Sequence, residues 1–497
     1  MEAITMKMII LNKQKHDELE FDELYRMLSD LKDFLDEDAN LENREWRENL
    51  KTILNFQDSD GSFKLLDSYN IPSDARVDFC HMPTYICTAI LMKAYMTDSQ
   101  AFTSQEESAL FYGLKVSCAR NLSGHGYESL IGQIDALNVF TKAGLKEFMD
   151  LHHEFCPEFS EMIEKIISEF NDMESQGKFY GSWGESYESE IKNINKYFSN
   201  RNVFVYGTLM NGEANHSYLN DSTFLGNTMI EGYDMYDVGF YPAIIPGNGI
   251  AIGELYQVPK EDMPSIDMLE GEGTLYSKKC ETVTDSKGNT SFAFVYVYMR
   301  DCSDLKRISA WNEDYVWYVS YGSNMLNERF MCYIEGGSYK DSARRKECED
   351  TTPPIAVKTL EIPYDIYFGN RSRSWQNGGV SFLDVSKKGH SLGVAYLITE
   401  KQFNHVAAQE NGGIPPHESN GWYTDIIDLG TMNGFEVKTI TNRNPRPHNN
   451  PSDSYISTLM DGIRENWPEM SDEEIRDYIN NCMDSSNNSL LHELENE

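Results

Sequence analysis

The sequence contains no run of 18 consecutive apolar residues, so no segment is predicted to cross a bilayer. The chain starts with Met-Glu-Ala, and residues 12–15 are polar. This start lacks both the positive charge and the apolar stretch of a secretory signal. We therefore expect a cytoplasmic protein without a membrane partner.

Residue pairs that bind metals are also missing. The nine cysteines include no Cys-x-x-Cys pair, and the eleven histidines include no His-x-x-x-His pair. An odd number of scattered cysteines argues against a disulfide framework, and the missing pairs argue against a structural zinc site. We expect no metal and no other cofactor.

Positive charge is scarce, because 43 Lys and Arg residues face 80 Asp and Glu residues, which gives a net charge of −37. So acidic a surface repels phosphate backbones, and we expect no nucleic-acid partner. The charge itself has two interpretations, which are solubility and a preference for cationic substrates.

The sequence does have enough length for several hydrophobic cores. Domains usually hold roughly 100–200 residues, so this chain is expected to form about two to four. Apolar residues recur at helical spacing over 21–34, whereas short apolar or alternating strands appear at 203–206 and 291–298. The predicted units are an all-α accessory domain (1–199), a β-rich domain (200–305), a second β-rich domain (315–482) and a polar, frayed tail (483–497).

Six short elements follow one another in order between residues 203 and roughly 300. They are VYGTL (205–209), NH (215–216), GYDMY (232–236), YPA (241–243), GELY (253–256) and DMLEG with LY (267–276). Together they resemble the gamma-glutamylcyclotransferase-like family. The resemblance implies a small α+β domain with a β-barrel-like fold.

The resemblance also implies a reaction. The α-amine of a γ-glutamyl group attacks its own side-chain carbonyl, and 5-oxoproline and a free amine are released. Glu270 stands where the family carries its carboxylate, and it would act as general acid and base. The alternative interpretation of Glu270 is an acidic loop residue exposed to solvent. Asp267 is interpreted as a capping or turn residue.

The substrate would lie against a glycine turn at the end of a strand. Backbone N–H groups in such a turn can stabilise the oxyanion that develops on the attacked carbonyl. The candidate substrate-binding residues of this first copy are Tyr206, Gly207, Thr208, Leu209 and Tyr276.

A second copy of the pattern follows. The turn is repeated as Tyr321, Gly322, Ser323 and Asn324, and GVAYLI (393–398) repeats the strand GELYQV (253–258). Glu410 corresponds to Glu270. The resemblance therefore predicts a second α+β barrel domain, with Glu410 catalytic and residues 321–324 binding substrate.

The second copy carries an insertion that the first one lacks. Within FGNRSRSWQNGGVSFLD (368–384), Arg371, Arg373 and Trp375 could hold a carboxylate-bearing substrate. They could equally form a positively charged surface loop, and both interpretations stay open.

The N-terminal region resembles part of an α/α toroid, the fold of terpene cyclases and protein prenyltransferase β-subunits. QDSDGSF (57–63), DAR (74–76) and FYGSWG (179–184) carry this resemblance. It implies that the Gln-x-x-Asp-Gly-x-Phe turn braces two helices. No zinc triad or Asp-rich motif is present, so we expect a partial toroid that binds or positions a peptide or protein partner.

The function that the sequence predicts is that of a gamma-glutamyl cyclotransferase. Its substrate would be a small γ-glutamyl amine, amino acid or peptide. One alternative is a non-catalytic protein that binds γ-glutamyl ligands in the same pockets. The other is an isopeptide-processing enzyme that acts on conjugates docked by the helical domain.

Overall fold

The computed structural model describes residues 8, 9, 11–67, 71, 72, 75, 77–122, 129–181, 183–340, 344–417 and 421–494. The first part of the chain is helical. Its helices are α1 (Phe21–Asp36), α2 (Arg44–Leu54), α3 (Met82–Thr97), α4 (Ser104–Ala119), α5 (Ser129–Thr141), α6 (Leu145–His152), α7 (Pro157–Ser175) and α8 (Glu188–Ser199). Within the described ranges, no helix combines the length and the apolar content that a membrane crossing requires.

Helix α3 lies at the centre of this helical region. Its sequence is apolar almost all round, and side chains on every face of it are buried, among them Tyr85, Ile86 and Leu91. A helix without a polar face gains stability only when neighbours cover all its sides. The surrounding helices provide that cover.

The turn at Gln57 joins two parts of the helical region. The Gln57 Nε2 group donates to the carbonyl of Gly61 at 3.1 Å and to the carbonyl of Ala109 in α4 at 2.8 Å. The predicted bracing contact is therefore present. Asp74 and Arg76 lie outside the described residues, and the wider likeness to a toroid stays a prediction.

The second part of the chain is a five-stranded barrel. Its elements are β1 (Asn200–Val205), β2 (Thr223–Asp237), β3 (Pro242–Pro259), α9 (Met263–Glu270), β4 (Tyr276–Asp285), β5 (Thr290–Tyr298) and a short β6 (Lys306–Ile308) that pairs with β2. The strand order is β3-β1-β5-β4-β2, and pairing of β2 with β3 closes the barrel. Strands β1 and β5 are parallel, and the other pairs are antiparallel.

The helical region packs against this barrel. Arg201 at the start of β1 is 2% exposed and forms an ion pair with Asp150 of α6. The Phe292 ring of β5 packs against the helical core beside Gly144, where an added Cβ would lie 2.8 Å from that ring. One wall of the barrel is thus an internal interface.

The third part of the chain contains an open sheet. Its elements are β7 (Tyr315–Ser320), α10 (Asn327–Ile334), β8 (Ala356–Ile362), β9 (Asp365–Ser372), β10 (Gly378–Asp384), β11 (Ser391–Thr399), α11 (Glu400–Glu410), β12 (Asp425–Met432), β13 (Phe435–Thr441), α12 (Asp453–Asn466) and α13 (Asp472–Leu494). The order β12-β13-β7-β11-β8 has the same connectivity as β4-β5-β1-β3-β2 of the barrel. Strand β7 is parallel to β13, as β1 is to β5.

Two predictions for this third part are wrong. Its sheet is not a closed barrel, since within the described residues β8 does not pair with β12. Strand β2 of the barrel has 15 residues and pairs with β3, β4 and β6, whereas β8 has seven and, among the described residues, pairs with β11 alone. The tail that was predicted to fray after Cys482 is helical, because α13 continues to Leu494.

Candidate active sites

The first cleft lies where the chain leaves β1 and turns at residues 206–209. The end of α9 places Glu270 at the same cleft, which encloses about 330 Å³. Its lining residues are Phe204, Val205, Tyr206, Gly207, Thr208, Leu209, Tyr241, Pro242, Glu270, Tyr276 and Tyr296. Every candidate residue of the first copy therefore lines one cavity, joined by five residues for which no site role was predicted, namely Phe204, Val205, Tyr241, Pro242 and Tyr296.

Gly207 is required at the turn because space is short. A Cβ at this position would lie 2.6 Å from Cγ of the buried Pro242 ring. The residue does not adopt a left-handed φ, so close approach rather than backbone freedom explains the glycine. Within the described chain, the backbone N–H groups of Gly207, Thr208 and Leu209 have no hydrogen-bond partner, and they can donate to a ligand.

Glu270 is the last residue of α9, and Gly271 ends the helix with a left-handed φ of 62°. The carboxyl group is half-buried, and burial raises the pKa of Glu270 from 4.5 to about 7. Burial has this effect because low-dielectric surroundings disfavour the charged form. A carboxylate whose pKa lies near neutral pH is well suited to take up and return a proton.

Two tyrosines of the first cleft are held by backbone carbonyls, and a third is held by a carboxylate. Tyr206 donates its hydroxyl to Tyr296 O at 2.5 Å, and Tyr276 donates to Pro242 O at 2.8 Å. These contacts fix the aromatic walls. Asp267 accepts from Tyr296 at 2.7 Å and forms an ion pair with Lys278 at 2.9 Å. Asp267 thus supports the wall and does not line the cavity.

The second cleft occupies the corresponding place on the open sheet and encloses about 720 Å³. Glu410 is the last residue of α11, as Glu270 is of α9. Asn324 of the glycine turn donates Nδ2 to Glu410 Oε1 at 2.7 Å. Tyr321 donates its hydroxyl to Ile440 O at 2.6 Å, so it shapes the wall as Tyr206 does.

The predicted residues of the second copy come together in this cleft. Tyr321, Gly322, Ser323, Asn324 and Glu410 all line it, together with Tyr318, Ser320, Arg329, Arg345, Ser372, Ser374, Trp375, Val380, Ser381, Gln409, Trp422, Tyr423, Ile440 and Tyr455. Within the described residues, no three His, Cys, Asp or Glu side chains are grouped so that they could hold a metal ion.

Arg371 and Arg373 agree with the interpretation as a surface loop and not with a place in the second cleft. Arg371 and Arg373 are exposed and do not line it, although Trp375 does. Two other arginines replace them, namely Arg329 of α10 and Arg345. The sequence offered one signal for Arg329, because α10 starts directly after a turn that was predicted to bind substrate.

Comparison with known proteins agrees with this geometry. The family described as "Gamma-glutamyl cyclotransferase, AIG2-like" matches residues 203–316. The gamma-glutamylcyclotransferase family protein YtfP of Escherichia coli K12 is 32% identical over 108 residues, which cover 22% of this chain and 91% of that protein. The gamma-L-glutamyl-butirosin B gamma-glutamyl cyclotransferase of Niallia circulans is 32% identical over 138 residues, or 27% of this chain and 86% of that one.

A plant relative matches a longer segment of the chain. Histone deacetylase 5 of Arabidopsis thaliana is 30% identical over 207 residues, which cover 34% of this chain and 31% of the plant protein. The chain thus spans about a third of that relative, and its name carries nothing over to this protein.

A closed five-stranded barrel with a half-buried carboxylate opposite a glycine turn defines a gamma-glutamylcyclotransferase-like domain. The matched segments cover 91% and 86% of the two bacterial relatives, which assigns this part of the chain to their family. The chain belongs to the gamma-glutamylcyclotransferase family through residues 203–316.

Proposed function

We propose that the protein is a gamma-glutamyl cyclotransferase that works at the first cleft and releases 5-oxoproline. One observation carries the proposal. A carboxyl group with a pKa of about 7 lines the same small cavity as backbone N–H groups that have no hydrogen-bond partner among the described residues. The reaction needs a base at the amine and donors at the carbonyl, and these two features supply them.

The reaction starts at the α-ammonium group of the γ-glutamyl unit. The Glu270 carboxylate removes one proton, and the neutral amine attacks the side-chain carbonyl carbon to form a new C–N bond. The backbone N–H groups of Gly207 and Thr208 stabilise the oxyanion. Glu270 returns its proton to the leaving nitrogen as the old C–N bond breaks. The ring nitrogen passes its surplus proton to the departing amine, so the products are 5-oxoproline and the protonated amine.

The charge of the first cleft suggests which kind of leaving group its substrate carries. Among the described residues that line it, Glu270 alone is ionisable to a charged form near neutral pH, and the whole chain has a net charge of −37. Both features favour neutral or cationic ligands over acidic ones. We therefore propose γ-glutamyl amines as the substrates of this cleft, and the name of the Niallia relative also specifies a γ-glutamyl compound.

The third part of the chain is proposed as a divergent second copy of the family domain. The support is topological, since its strand order, its glycine turn and its helix-terminal Glu410 occupy the same places as in the barrel. Glu410 is proposed as the general acid and base of this cleft. The helical region is proposed as an accessory unit that could dock a peptide or protein.

The test measures 5-oxoproline by liquid chromatography over glutathione, γ-glutamyl dipeptides and γ-glutamyl amines. Wild type, Glu270→Gln, Glu410→Gln and the double variant are compared, with the exposed Glu272→Gln as the matched control. We expect turnover of γ-glutamyl amines to require Glu270 and the control to behave as wild type. Ligand binding without 5-oxoproline release by the wild type would favour the binding-protein alternative.

A further inference from the structure

The second cleft contains positive charge that the catalytic proposal does not use. Arg329 is 5% exposed, and its one side-chain hydrogen bond among the described residues runs from Nε to Ser323 Oγ at 2.8 Å. The buried Nε atom of Arg345 has no acceptor in the described chain. Neither guanidinium lies within 4.0 Å of a described carboxylate oxygen.

Such an arrangement leaves donors of both guanidinium groups without an acceptor from the described chain. A guanidinium taken out of water is stabilised when a carboxylate or another acceptor meets its donors, and an unpaired one costs free energy. The guanidinium of Arg329 lies 5.0 Å from the Trp375 ring centroid, and that of Arg345 lies 4.4 Å from the Tyr333 ring centroid. The rings orient the two cations but neutralise neither of them.

The same cleft also contains hydrogen-bond acceptors that can bind a cation. Asn324 donates to Glu410, and its own buried Oδ1 atom has no donor among the described residues. Glu410 and this amide oxygen can together receive an ammonium group. The cleft therefore offers acceptors for an ammonium and donors for a carboxylate within one cavity of about 720 Å³.

We propose that the second cleft selects γ-glutamyl compounds whose leaving group carries a carboxylate, and that Arg329 and Arg345 bind that carboxylate. The assignment rests on the proposed function, in which Glu410 receives the α-ammonium group. It gives the two clefts different substrates, because the first has half the volume and no arginine or lysine in its lining.

The experiment compares γ-glutamylalanine with γ-glutamylalaninamide, which lacks only the terminal carboxylate. Binding is measured by titration calorimetry on the full chain carrying Glu270→Gln and Glu410→Gln, so that neither ligand is consumed. Arg345→Gln, Arg329→Gln and Arg329→Lys are added to this background. The matched control is Arg371→Gln with Arg373→Gln, which removes exposed arginines outside the cleft.

We expect the parent to bind γ-glutamylalanine, the acid, more tightly than the amide. Arg345→Gln should lower the affinity for the acid by about 10- to 100-fold, as the loss of hydrogen bonds to a charged group does. The amide should be unaffected, and the control should bind as the parent does. Arg329→Lys keeps the charge and guards against misfolding of Arg329→Gln, and it should retain part of the preference.

Three results would overturn the assignment. If the arginine substitutions lowered the affinities for the acid and the amide equally, the arginines would bind the α-carboxylate of the γ-glutamyl unit instead. Unchanged affinities in the Arg345→Gln and Arg329→Lys variants would mean that they touch no ligand, and a parent without preference would refute the selection itself. If wild type released no 5-oxoproline while the arginine-dependent preference persisted, the catalytic proposal would fail and this site would stand.

Discussion

Replacing Glu270 with Gln should make the protein less active and more stable at the same time. Burial raises the pKa of this carboxyl group from 4.5 to about 7, so its ionisation is harder in the folded state than in the unfolded chain. At 1.36 kcal/mol per pKa unit, this difference corresponds to about 3 kcal/mol. Gln keeps the shape of the side chain but never carries the charge.

The sign follows from proton linkage. A group whose pKa is raised on folding contributes stability that is fully present below pH 4.5 and is lost as the pH rises through about 7. The wild type suffers this loss and Glu270→Gln does not. The advantage of the variant should therefore be small near pH 4.5, grow across this window and level off at about 3 kcal/mol above pH 8.

Urea unfolding followed by circular dichroism at pH 5.5, 7.0 and 8.5 measures the difference, since contributions from other groups are common to both proteins. Turnover should fall by about 10²- to 10⁴-fold in the variant, and kcat/KM of the wild type should rise through pH 7. Glu272→Gln changes the same charge on an exposed side chain and should leave both quantities unchanged. A stability difference that does not vary with pH would show that the Glu270 carboxylate is well solvated, and the argument from burial would fail.

Three further substitutions test the architecture. Gly207→Ala would force a Cβ against Pro242, and overpacking of about 1–3 kcal/mol with loss of 5-oxoproline release is expected; wild-type turnover would contradict the close approach. Asp150→Ala leaves the buried Arg201 without its carboxylate, so urea unfolding should show a loss of about 3–5 kcal/mol, and a loss below 1 kcal/mol would mean that water replaces the partner. Gln57→Ala removes a brace that lines neither cleft, so it should cost about 1–3 kcal/mol in the same assay while turnover stays constant.

The sequence was most informative where a function depends on neighbouring residues. The glycine turn at 206–209 and the carboxylate at 270 were predicted from short ordered motifs, and the fold brings both to one cleft. Tyr296 had no such signal, because pairing of the neighbouring strands β1 and β5 brings it to Tyr206. Alternation over residues 291–298 indicated a strand, but residues 293–298 are buried on both faces, and the sequence did not show which residues they meet.

The arginines show the opposite case. Arg371 and Arg373 stand beside Trp375 in the sequence, yet their side chains point to solvent while the tryptophan lines the cleft. Neighbours along a short turn diverge in direction, so adjacency in sequence does not place them in one site. Arg329 and Arg345 reach the cleft from separate segments. The glycine turn before α10 gave a signal for Arg329, whereas only the tertiary fold reveals Arg345.

The parallel strand pairs also determine when each cleft can form during synthesis. Val203 of β1 pairs with Phe294 of β5, and Val316 of β7 pairs with Glu436 of β13. Such non-local pairings fold slowly, whereas helices form from local contacts. The helical region can therefore fold on the ribosome first, and its face beside Gly144 stays uncovered until Phe292 has emerged. Translation pauses after residue 199 would prolong that exposure and favour aggregation of the nascent chain.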